Sequence, residues 1–328
     1  MLSPVTTWLI QASLGLIMVV GSGVLSGVIF SVRALRKRHE LLIIAGLSLA
    51  DVCRGLGILL AVVNRYLIYA DSPKGKDKIT PWDCYKSTHA VWLIMGGQAT
   101  ALMLVVLSLD RLLAVRFYSV YASFTTRYAW LVLGLVLAYV CGLWLVLGLL
   151  SYFIVDNSEP SIHRYCFGNH VATNAFKVYH PGLQLVCGAA SCLIYLLTLL
   201  FYRRHLANMA GDLGLDKGQQ ERQSRFTKLV GAVTLVTLLC YVLPNLCIQV
   251  LDKVRAEGGI SGAQMSLAKT ICFSLVCLNS VANIYVFGVH HEEINGSIRR
   301  LFCACRKTAK VETDSTLFRR STRISQPT

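Results

Sequence analysis

An acidic and a basic residue, Asp110 and Arg111, stand side by side at the end of a long apolar segment. Each charge costs roughly 2.5–3.5 kcal/mol at the centre of a bilayer, so the pair is expected near one end of a membrane helix. There an arginine can exchange one partner for another close to the lipid headgroups. A small difference in free energy between the two partners would create a two-state element. The alternative is an arginine that only anchors the helix end.

The apolar segment is one of seven such blocks. The chain has 328 residues, of which 55% are hydrophobic and 15% are charged, and this composition excludes an ordinary soluble domain. Each block has about 20 residues or more, enough for a helix to cross a hydrocarbon core of roughly 30 Å. The blocks are Trp8–Val32, Leu41–Val63, Thr88–Leu109, Ala129–Ser151, Val178–Tyr202, Leu229–Leu251 and Leu267–Val289. We predict an all-α integral membrane protein, a bundle of seven transmembrane helices, numbered here in chain order.

Basic residues predict the orientation of the bundle. Four of them, Arg33, Arg36, Lys37 and Arg38, follow the first block, and no charged residue precedes it. By the positive-inside rule, the amino-terminus is extracellular and the carboxy-terminus is cytoplasmic. The net charge of +15 is then a signal of topology and of contact with membrane lipid, and no nucleic-acid partner is expected.

Two of the twelve cysteines, Cys84 and Cys166, fall in segments predicted to face the oxidising exterior. We expect a disulfide between them, which would tie the outer end of the third helix to the loop between the fourth and fifth helices. Two free thiols are the alternative.

Several short motifs resemble those of the rhodopsin-like (class A) G-protein-coupled receptors, in the same order over essentially the whole chain. The second helix reads Leu47-Ser48-Leu49-Ala50-Asp51, similar to L-x-x-A-D, and the third helix reads Asp110-Arg111-Leu112, similar to D-R-Y. The seventh helix, Asn279-Ser280-Val281-Ala282-Asn283-Ile284-Tyr285-Val286-Phe287, is similar to N-S-x-x-N-P-x-x-Y. The resemblance implies a plasma-membrane receptor, not an enzyme, that binds an extracellular chemical or peptide ligand and activates a heterotrimeric G protein.

Departures from the family pattern narrow this prediction. Val242 replaces the tryptophan before the helix-six proline, while Ile284 and Phe287 replace the proline and tyrosine of the seventh-helix motif. Tyr241 projects about 100° away from Val242 on an ideal helix. The divergent pattern is similar to nematode serpentine chemoreceptors of class sx, which implies a chemosensory role. A receptor-like decoy or scaffold without signalling is the alternative, and a transporter is less favoured because matching broken helices or repeats are not visible.

The resemblance assigns roles to individual residues. Arg111 is held by Asp110 at rest and turns toward Tyr195 and the G protein on activation. The residues assigned to coupling and to the activation switch are Asp110, Arg111, Tyr121, Tyr195, Lys228 and Asn283. Pro244 removes a backbone hydrogen bond from the sixth helix and makes a hinge there.

A sodium site is also implied by the resemblance. The residues that match it are Asp51, Thr100, Asn279, Ser280 and Asn283, and their oxygens suit a hard cation. Arg54 lies three residues after Asp51 on much the same helix face and can displace sodium by neutralising the carboxylate. Two alternatives stay open for Arg54: an internal pair with Asp51, or a counter-ion for an acidic ligand. No other cofactor is expected.

The predicted ligand-binding residues lie mainly on the second and third helices. They are Arg54, His89, Trp92, Leu93, Gly96 and Gln249. Leu93 stands where amine receptors have an aspartate, which disfavours a biogenic amine ligand. His89 can exchange a hydrogen bond with a ligand or be a packed polar residue. The Gly96-Gly97 pair either opens space for a ligand or lets helices pack closely.

Four regions follow along the chain. They are an extracellular amino-terminus at 1–7, a receptor domain at 8–289, an amphipathic juxtamembrane helix at 290–305 and a disordered cytoplasmic tail at 306–328. Cys303 and Cys305 end the amphipathic helix, in a position suited to S-acylation. The tail is expected to meet arrestin and kinases.

Overall fold

A computed structural model describes residues 4–71, 78–153, 162–163, 166, 174–212, 231–256, 262–290 and 293–300. Within these residues, seven helices are long and apolar enough to cross a membrane, which confirms the predicted all-α bundle. Their bounds are Pro4–Ser31, His39–Asp71, Thr88–Arg116, Thr126–Phe153, Asn174–Asp212, 231–256 and Gly262–His290.

Several helices run past the apolar blocks that predict them. The second helix continues from Val63 to Asp71, and the fifth helix continues from Tyr202 to Asp212. Hydropathy ends a block where the apolar run ends, whereas a helix keeps its own backbone hydrogen bonds and can extend into water. The first helix begins at Pro4, inside the segment 1–7 predicted to precede it, and a proline is suited to a first helical turn.

Short elements close the two ends of the bundle. At one end, the two-residue strands Lys78–Ile79 and Ile162–His163 pair antiparallel, and the one-turn helix Pro81–Lys86 leads into the third helix. We call this the disulfide end, because Cys84 lies in that short helix. The opposite end, here the Arg111 end, carries the one-turn helices Arg33–Arg36 and Tyr118–Tyr121.

A further helix at the Arg111 end spans residues 293–300, inside the region 290–305 predicted to be amphipathic. The Glu293 carboxylate pairs with Arg38, which also pairs with Glu40 at the start of the second helix. The ion pairs therefore tie this last described helix to the connection between the first two membrane helices.

Glycines allow the second and third helices to approach closely. A Cβ atom at Gly96 would lie 2.4 Å from the backbone nitrogen of Arg54, and one at Gly57 would lie 2.5 Å from that of Leu93. No side chain larger than hydrogen fits such an approach without a shift of the backbone. At Gly96 the structure therefore shows close helix packing.

A π-helical turn, Leu238–Val242, interrupts the sixth helix just before Pro244. The backbone N–H of Leu243 donates to the carbonyl of Leu238, five residues back. Because Pro244 has no N–H to give to the preceding turn, a wider turn is a local way to accommodate it. Tyr241 and Val242 are both buried, and both contact the position of Gly188 in the fifth helix.

Candidate functional sites

The switch residues lie together at the Arg111 end. Asp110 is fully buried, and one of its oxygens, Oδ2, accepts a hydrogen bond of 3.1 Å from the hydroxyl of Tyr121. The Nε atom of Arg111 lies 4.0 Å from the same oxygen, and the Arg111 side chain keeps 20% of its surface exposed. The carboxylate is thus held by a short bond to a neutral donor and a longer contact to a cation.

Local backbone geometry places Tyr121 under Asp110. The third helix ends at Arg116, and the one-turn helix Tyr118–Tyr121 folds the chain back, with the Tyr121 N–H donating to the Phe117 carbonyl at 2.8 Å. Burial first, and then the negative charge of Asp110, raise the pKa of Tyr121 above its usual value. The phenol therefore stays protonated and remains a donor at neutral pH.

An aromatic enclosure around Tyr121 was not predicted from the sequence. The His39 ring, at the start of the second helix, lies with its centroid 4.8 Å from that of Tyr121 and 6.2 Å from those of Phe124 and Tyr128. The spacing of the three aromatic residues, which are three and four positions apart, is the signal that could have found this cluster. The cluster fixes the connection between the third and fourth helices against the second helix.

The other predicted switch residues are placed less directly. Tyr195 is buried in the fifth helix, close enough to Asp110 and Arg111 to interact with their charges. Asn283 is buried in the seventh helix, and its Nδ2 atom has no hydrogen-bond partner among the described residues. Lys228 lies outside the described residues. The structure therefore brings Asp110, Arg111 and Tyr121 into direct contact and leaves Tyr195 nearby.

A second polar cluster lies in the middle of the bundle. The Oδ1 atom of buried Asp51 accepts hydrogen bonds from the hydroxyls of Thr100, at 3.0 Å, and Ser280, at 2.8 Å. These bonds join the second, third and seventh helices. Asn279 is also buried, and both atoms of its amide lack partners within the described part of the chain. A hard cation prefers oxygen ligands, and the Asp51 carboxylate together with the neighbouring hydroxyl and amide oxygens could supply them.

Arg54 lies one turn from this cluster. Its side chain belongs to a residue that is 5% exposed, and its Nη1 atom has no hydrogen-bond partner among the described residues. Across those residues, no Asp or Glu forms an ion pair of 4.0 Å or less with Arg54, so the direct Asp51–Arg54 pair does not form. The guanidinium instead interacts with Asp51 through space, and likewise with Tyr241 and His180.

His180 was missed by sequence analysis. Its Nδ1 atom lies 2.6 Å from the Gln98 amide nitrogen, and its Nε2 atom lies 3.2 Å from that of Gln184. A neutral imidazole accepts at one nitrogen and donates at the other, so one of the two glutamines must turn its oxygen toward the ring. Polar residues four apart in an apolar block, as His180 and Gln184 are, could have revealed the cluster, because such residues are costly in a membrane.

The remaining predicted ligand residues are dispersed. His89 is buried, and its Nε2–H donates to the Cys166 carbonyl at 3.2 Å, which is the packed alternative. Trp92 is exposed on the third helix. The Gln249 amide donates to the Pro181 carbonyl at 3.2 Å and so joins the sixth helix to the fifth. Of the predicted set, Arg54 lies one turn from the central cluster and interacts with Asp51 through space, and Gly96 packs against the Arg54 backbone.

The predicted disulfide between Cys84 and Cys166 is present, with a Cα–Cα distance of 5.4 Å. Cys84 belongs to the short helix Pro81–Lys86, which directly precedes the third helix. Cys166 has a φ angle of 43°, in the left-handed region that L-residues rarely adopt. The bond to Cys84 and the contacts of Ser87 and His89 hold it there.

A family model for the 7 transmembrane receptor (rhodopsin family) matches residues 7–285. The chain therefore belongs to the rhodopsin family of seven-transmembrane receptors, whose members act through an extracellular ligand and a heterotrimeric G protein. It is a multi-pass membrane protein, and the family consists of receptors and not of enzymes. No protein with curated annotation matches the sequence.

Proposed function

We propose that the protein is a chemosensory receptor of the plasma membrane, similar to nematode serpentine chemoreceptors of class sx. It binds an extracellular chemical or peptide toward the disulfide end and promotes nucleotide exchange on a G protein at the Arg111 end. The positive charges of Arg33, Arg36 and Lys37 support a cytoplasmic location for the Arg111 end. The observation that carries the proposal is the contact of Arg111 and Tyr121 with one oxygen of Asp110.

The contact geometry supports the assignment of a resting switch to Asp110 and Arg111. The Arg111–Asp110 distance of 4.0 Å is longer than a hydrogen bond, so the pair is electrostatic and its separation breaks no hydrogen bond. Tyr121 remains bonded to the Oδ2 atom of Asp110 when Arg111 leaves. The departing guanidinium then turns toward Tyr195, which lies within range of its charge. Two competing partners for one cation are the physical basis of the two states.

The sixth helix supplies the movement. Pro244 and the π turn before it break the regular ladder of backbone hydrogen bonds, and a helix bends most easily at such a point. Movement of the segment before Leu238 away from the third helix would open the Arg111 end. Lys228, outside the described residues, would then face the G protein together with Arg111 and Asn283.

Sodium is proposed to bind weakly at Asp51. The oxygens of Thr100, Ser280 and Asn279 suit the ion, but Asp51 already accepts two hydrogen bonds. The positive charge of Arg54 acts on the same carboxylate and opposes a second cation. Arrestin and kinases at the tail 306–328, membrane lipid at the helix 293–300 and S-acylation at Cys303 and Cys305 complete the proposed partners and modifications.

A non-signalling decoy or scaffold is the second candidate. The specific observation in its favour is the loss of three family residues, replaced by Val242, Ile284 and Phe287. The two candidates differ in one property, because only a signalling receptor requires the guanidinium of Arg111.

The test is activation of each main Gα class in cells that express the wild type, Arg111→Ala or Arg127→Ala at matched surface levels. Arg127 is an exposed arginine at the start of the fourth helix and controls for loss of charge at the same end. A basal signal that Arg111→Ala abolishes and Arg127→Ala retains supports the receptor. Silence of the wild type across all classes, with and without a mixed odorant and peptide library, supports the decoy or scaffold.

A further inference from the structure

We propose that the ligand of this receptor is an organic carboxylate and that Arg54 binds its anionic group, with the hydroxyl of Tyr241 as a second donor. The inference rests on the proposed receptor function, because it names the chemical class of that ligand. Neither residue serves the switch at the Arg111 end.

The first step is the electrostatic situation of Arg54. Its Nη1 atom has no hydrogen-bond partner in the described part of the chain, and no described acid forms an ion pair with it. A buried guanidinium in a membrane bundle is strongly unfavourable without a bonded anion. Asp51 compensates it only through space, because no ion pair of 4.0 Å or less joins the two side chains. Within the described part of the chain, Arg54 therefore has no counter-ion in direct contact.

The second step is the set of polar atoms around this charge. The Tyr241 hydroxyl, on the sixth helix, is fully buried and has no partner among the described residues. Gln98, on the third helix, is fully buried as well, and one atom of its side-chain amide also lacks a partner there. Arg54 interacts electrostatically with Tyr241 and with His180, to which Gln98 is bonded. Unsatisfied polar groups from separate helices thus converge on one region.

The chemistry of these groups selects the ligand. A guanidinium presents a planar fork of N–H donors that matches the two oxygens of a carboxylate, and the Tyr241 hydroxyl can add a third bond. Gly96 packs against the backbone of Arg54. This contact fixes the base of the Arg54 side chain and leaves the guanidinium group available to bind an anion. A cationic ligand would face the repulsion of a buried charge, in line with Leu93 at the position of an amine-binding aspartate.

Two described acids nearer the disulfide end do not compete for Arg54. Asp83 pairs with Lys86 at 2.9 Å, and Asp252 pairs with Lys269 at 2.6 Å. Both carboxylates are therefore neutralised by their own lysines at the edge of the bundle. An anion that enters the bundle from this end meets, at Arg54, a guanidinium that has no bonded counter-ion among the described residues.

The experiment measures the thermal stability of the purified, full-length receptor in lipid nanodiscs. The probes are benzoate and octanoate, their primary amides as neutral controls, and inorganic phosphate as a non-carboxylate anion. We expect a carboxylate to raise the Tm by roughly 3 °C at about ten times its Kd, and the matched amide to leave the Tm unchanged. Phosphate alone raising the Tm would show an anion site that is not built for carboxylates and would overturn the assignment.

Variants locate the effect. Arg54→Gln should weaken carboxylate binding at least about 30-fold, because a buried charge-assisted contact is lost, and Arg54→Lys should restore part of it. Arg65→Gln, in the same helix, is the matched control and should retain binding. Tyr241→Phe removes only one hydroxyl group and should weaken carboxylate binding about tenfold. This variant tests the site if Arg54→Gln does not fold.

Three results would overturn the inference: no rise with either carboxylate, an equal rise with the amides, or an unchanged response in both Arg54→Gln and Tyr241→Phe. The assay contains no G protein, so it separates this inference from the proposed function. If the wild-type receptor binds no carboxylate but shows Arg111-dependent signalling, only the proposed ligand class is rejected. Binding without any signal rejects the signalling role alone.

Discussion

The hydroxyl of Tyr121 and the guanidinium of Arg111 meet at one oxygen of Asp110, the first as a hydrogen-bond donor at 3.1 Å and the second as a charge at 4.0 Å. The relationship connects a short helix after the third membrane helix to the residue pair that the sequence marks as a switch. Because the neutral donor is the closer one, we expect Tyr121 to contribute mainly to stability and Arg111 mainly to switching. The two contributions can therefore be measured separately.

Asp110→Asn should raise the basal G-protein signal. The change leaves a side chain of nearly the same size but removes the negative charge that holds Arg111 at rest. We expect a several-fold rise that disappears in the double variant Asp110→Asn, Arg111→Ala, measured at matched surface expression. A signal below that of the wild type would contradict the resting role of the pair.

Tyr121→Phe should lower the free energy of unfolding by about 1–3 kcal/mol, because Asp110 stays buried and loses its hydrogen-bond donor. The matched control is Tyr128→Phe, since the Tyr128 ring faces His39 but its hydroxyl makes no hydrogen bond among the described residues. Thermal unfolding of the purified receptors measures both. Equal loss in the two variants would mean that the ring, and not the hydroxyl, stabilises this end.

Alkaline pH provides a second measurement on Tyr121. Its pKa is raised in the folded state, first by burial and then by Asp110, so the folded state disfavours the phenolate. The stabilisation is complete below the pKa of about 10 of an unfolded tyrosine and is lost as the pH rises above it. Wild-type stability should fall above that pH, with a smaller slope in Tyr121→Phe. Identical slopes would disprove the shift.

Gly96→Ala should destabilise the bundle by about 1–3 kcal/mol, since the new methyl group would lie 2.4 Å from the Arg54 nitrogen and 2.7 Å from its Cα atom. Gly142→Ala is the control, because no atom lies within 4 Å of the Cβ position there. That variant should be neutral or more stable, as alanine favours a helix. Surface expression and Tm report the difference, and a stable Gly96→Ala receptor would show that the two helices can separate.

Removal of the disulfide should cost about 2–5 kcal/mol. Cys84→Ser and Cys166→Ser should lower the Tm equally, and the double variant should add nothing, because each single change already breaks the bond. Cys141→Ser, at an exposed free cysteine of the fourth helix, is the matched control. A double variant clearly less stable than either single one would indicate separate packing roles for the two sulfur atoms.

Sodium should have little effect on the wild-type basal signal when it replaces an organic cation at millimolar concentration. Removing the charge that opposes the ion, in Arg54→Gln, should create sodium sensitivity, and Asp51→Asn should abolish it again. A sodium effect in the wild type that Asp51→Asn removes would show that Arg54 does not exclude the ion.

Much of the fold follows from the sequence, and the reason is the membrane itself. A helix must satisfy its own backbone in hydrocarbon, so the length and polarity of each apolar block define an element with little ambiguity. The ends are less predictable, as Asp71 and Asp212 show, because water does not penalise a helix that continues. The disulfide was predictable because compartment limits the candidates to Cys84 and Cys166.

The central cluster was predictable only in part. Asp51, Thr100 and Ser280 meet as the family resemblance implies, since these residues occupy matching helical positions. The interactions of Arg54 were not predictable. Helix spacing shows on which face of the helix a long side chain begins, but it does not show in which direction the charged end points. The surroundings of Tyr241 were not predictable for a related reason: an angular argument assumes a regular helix, and a π turn contains this residue.

That π turn gives the sixth helix a freedom that bending alone does not provide. It holds one residue more than an α-helical turn, so its conversion to a regular α-helical turn would rotate the segment on one side of it by about 100° relative to the other. One segment of the helix would then rotate about the helix axis and shift along it, while most of its backbone hydrogen bonds remain formed. A ligand bound near Tyr241 would act on the π turn itself. It would thereby change which side chains the sixth helix presents at the Arg111 end.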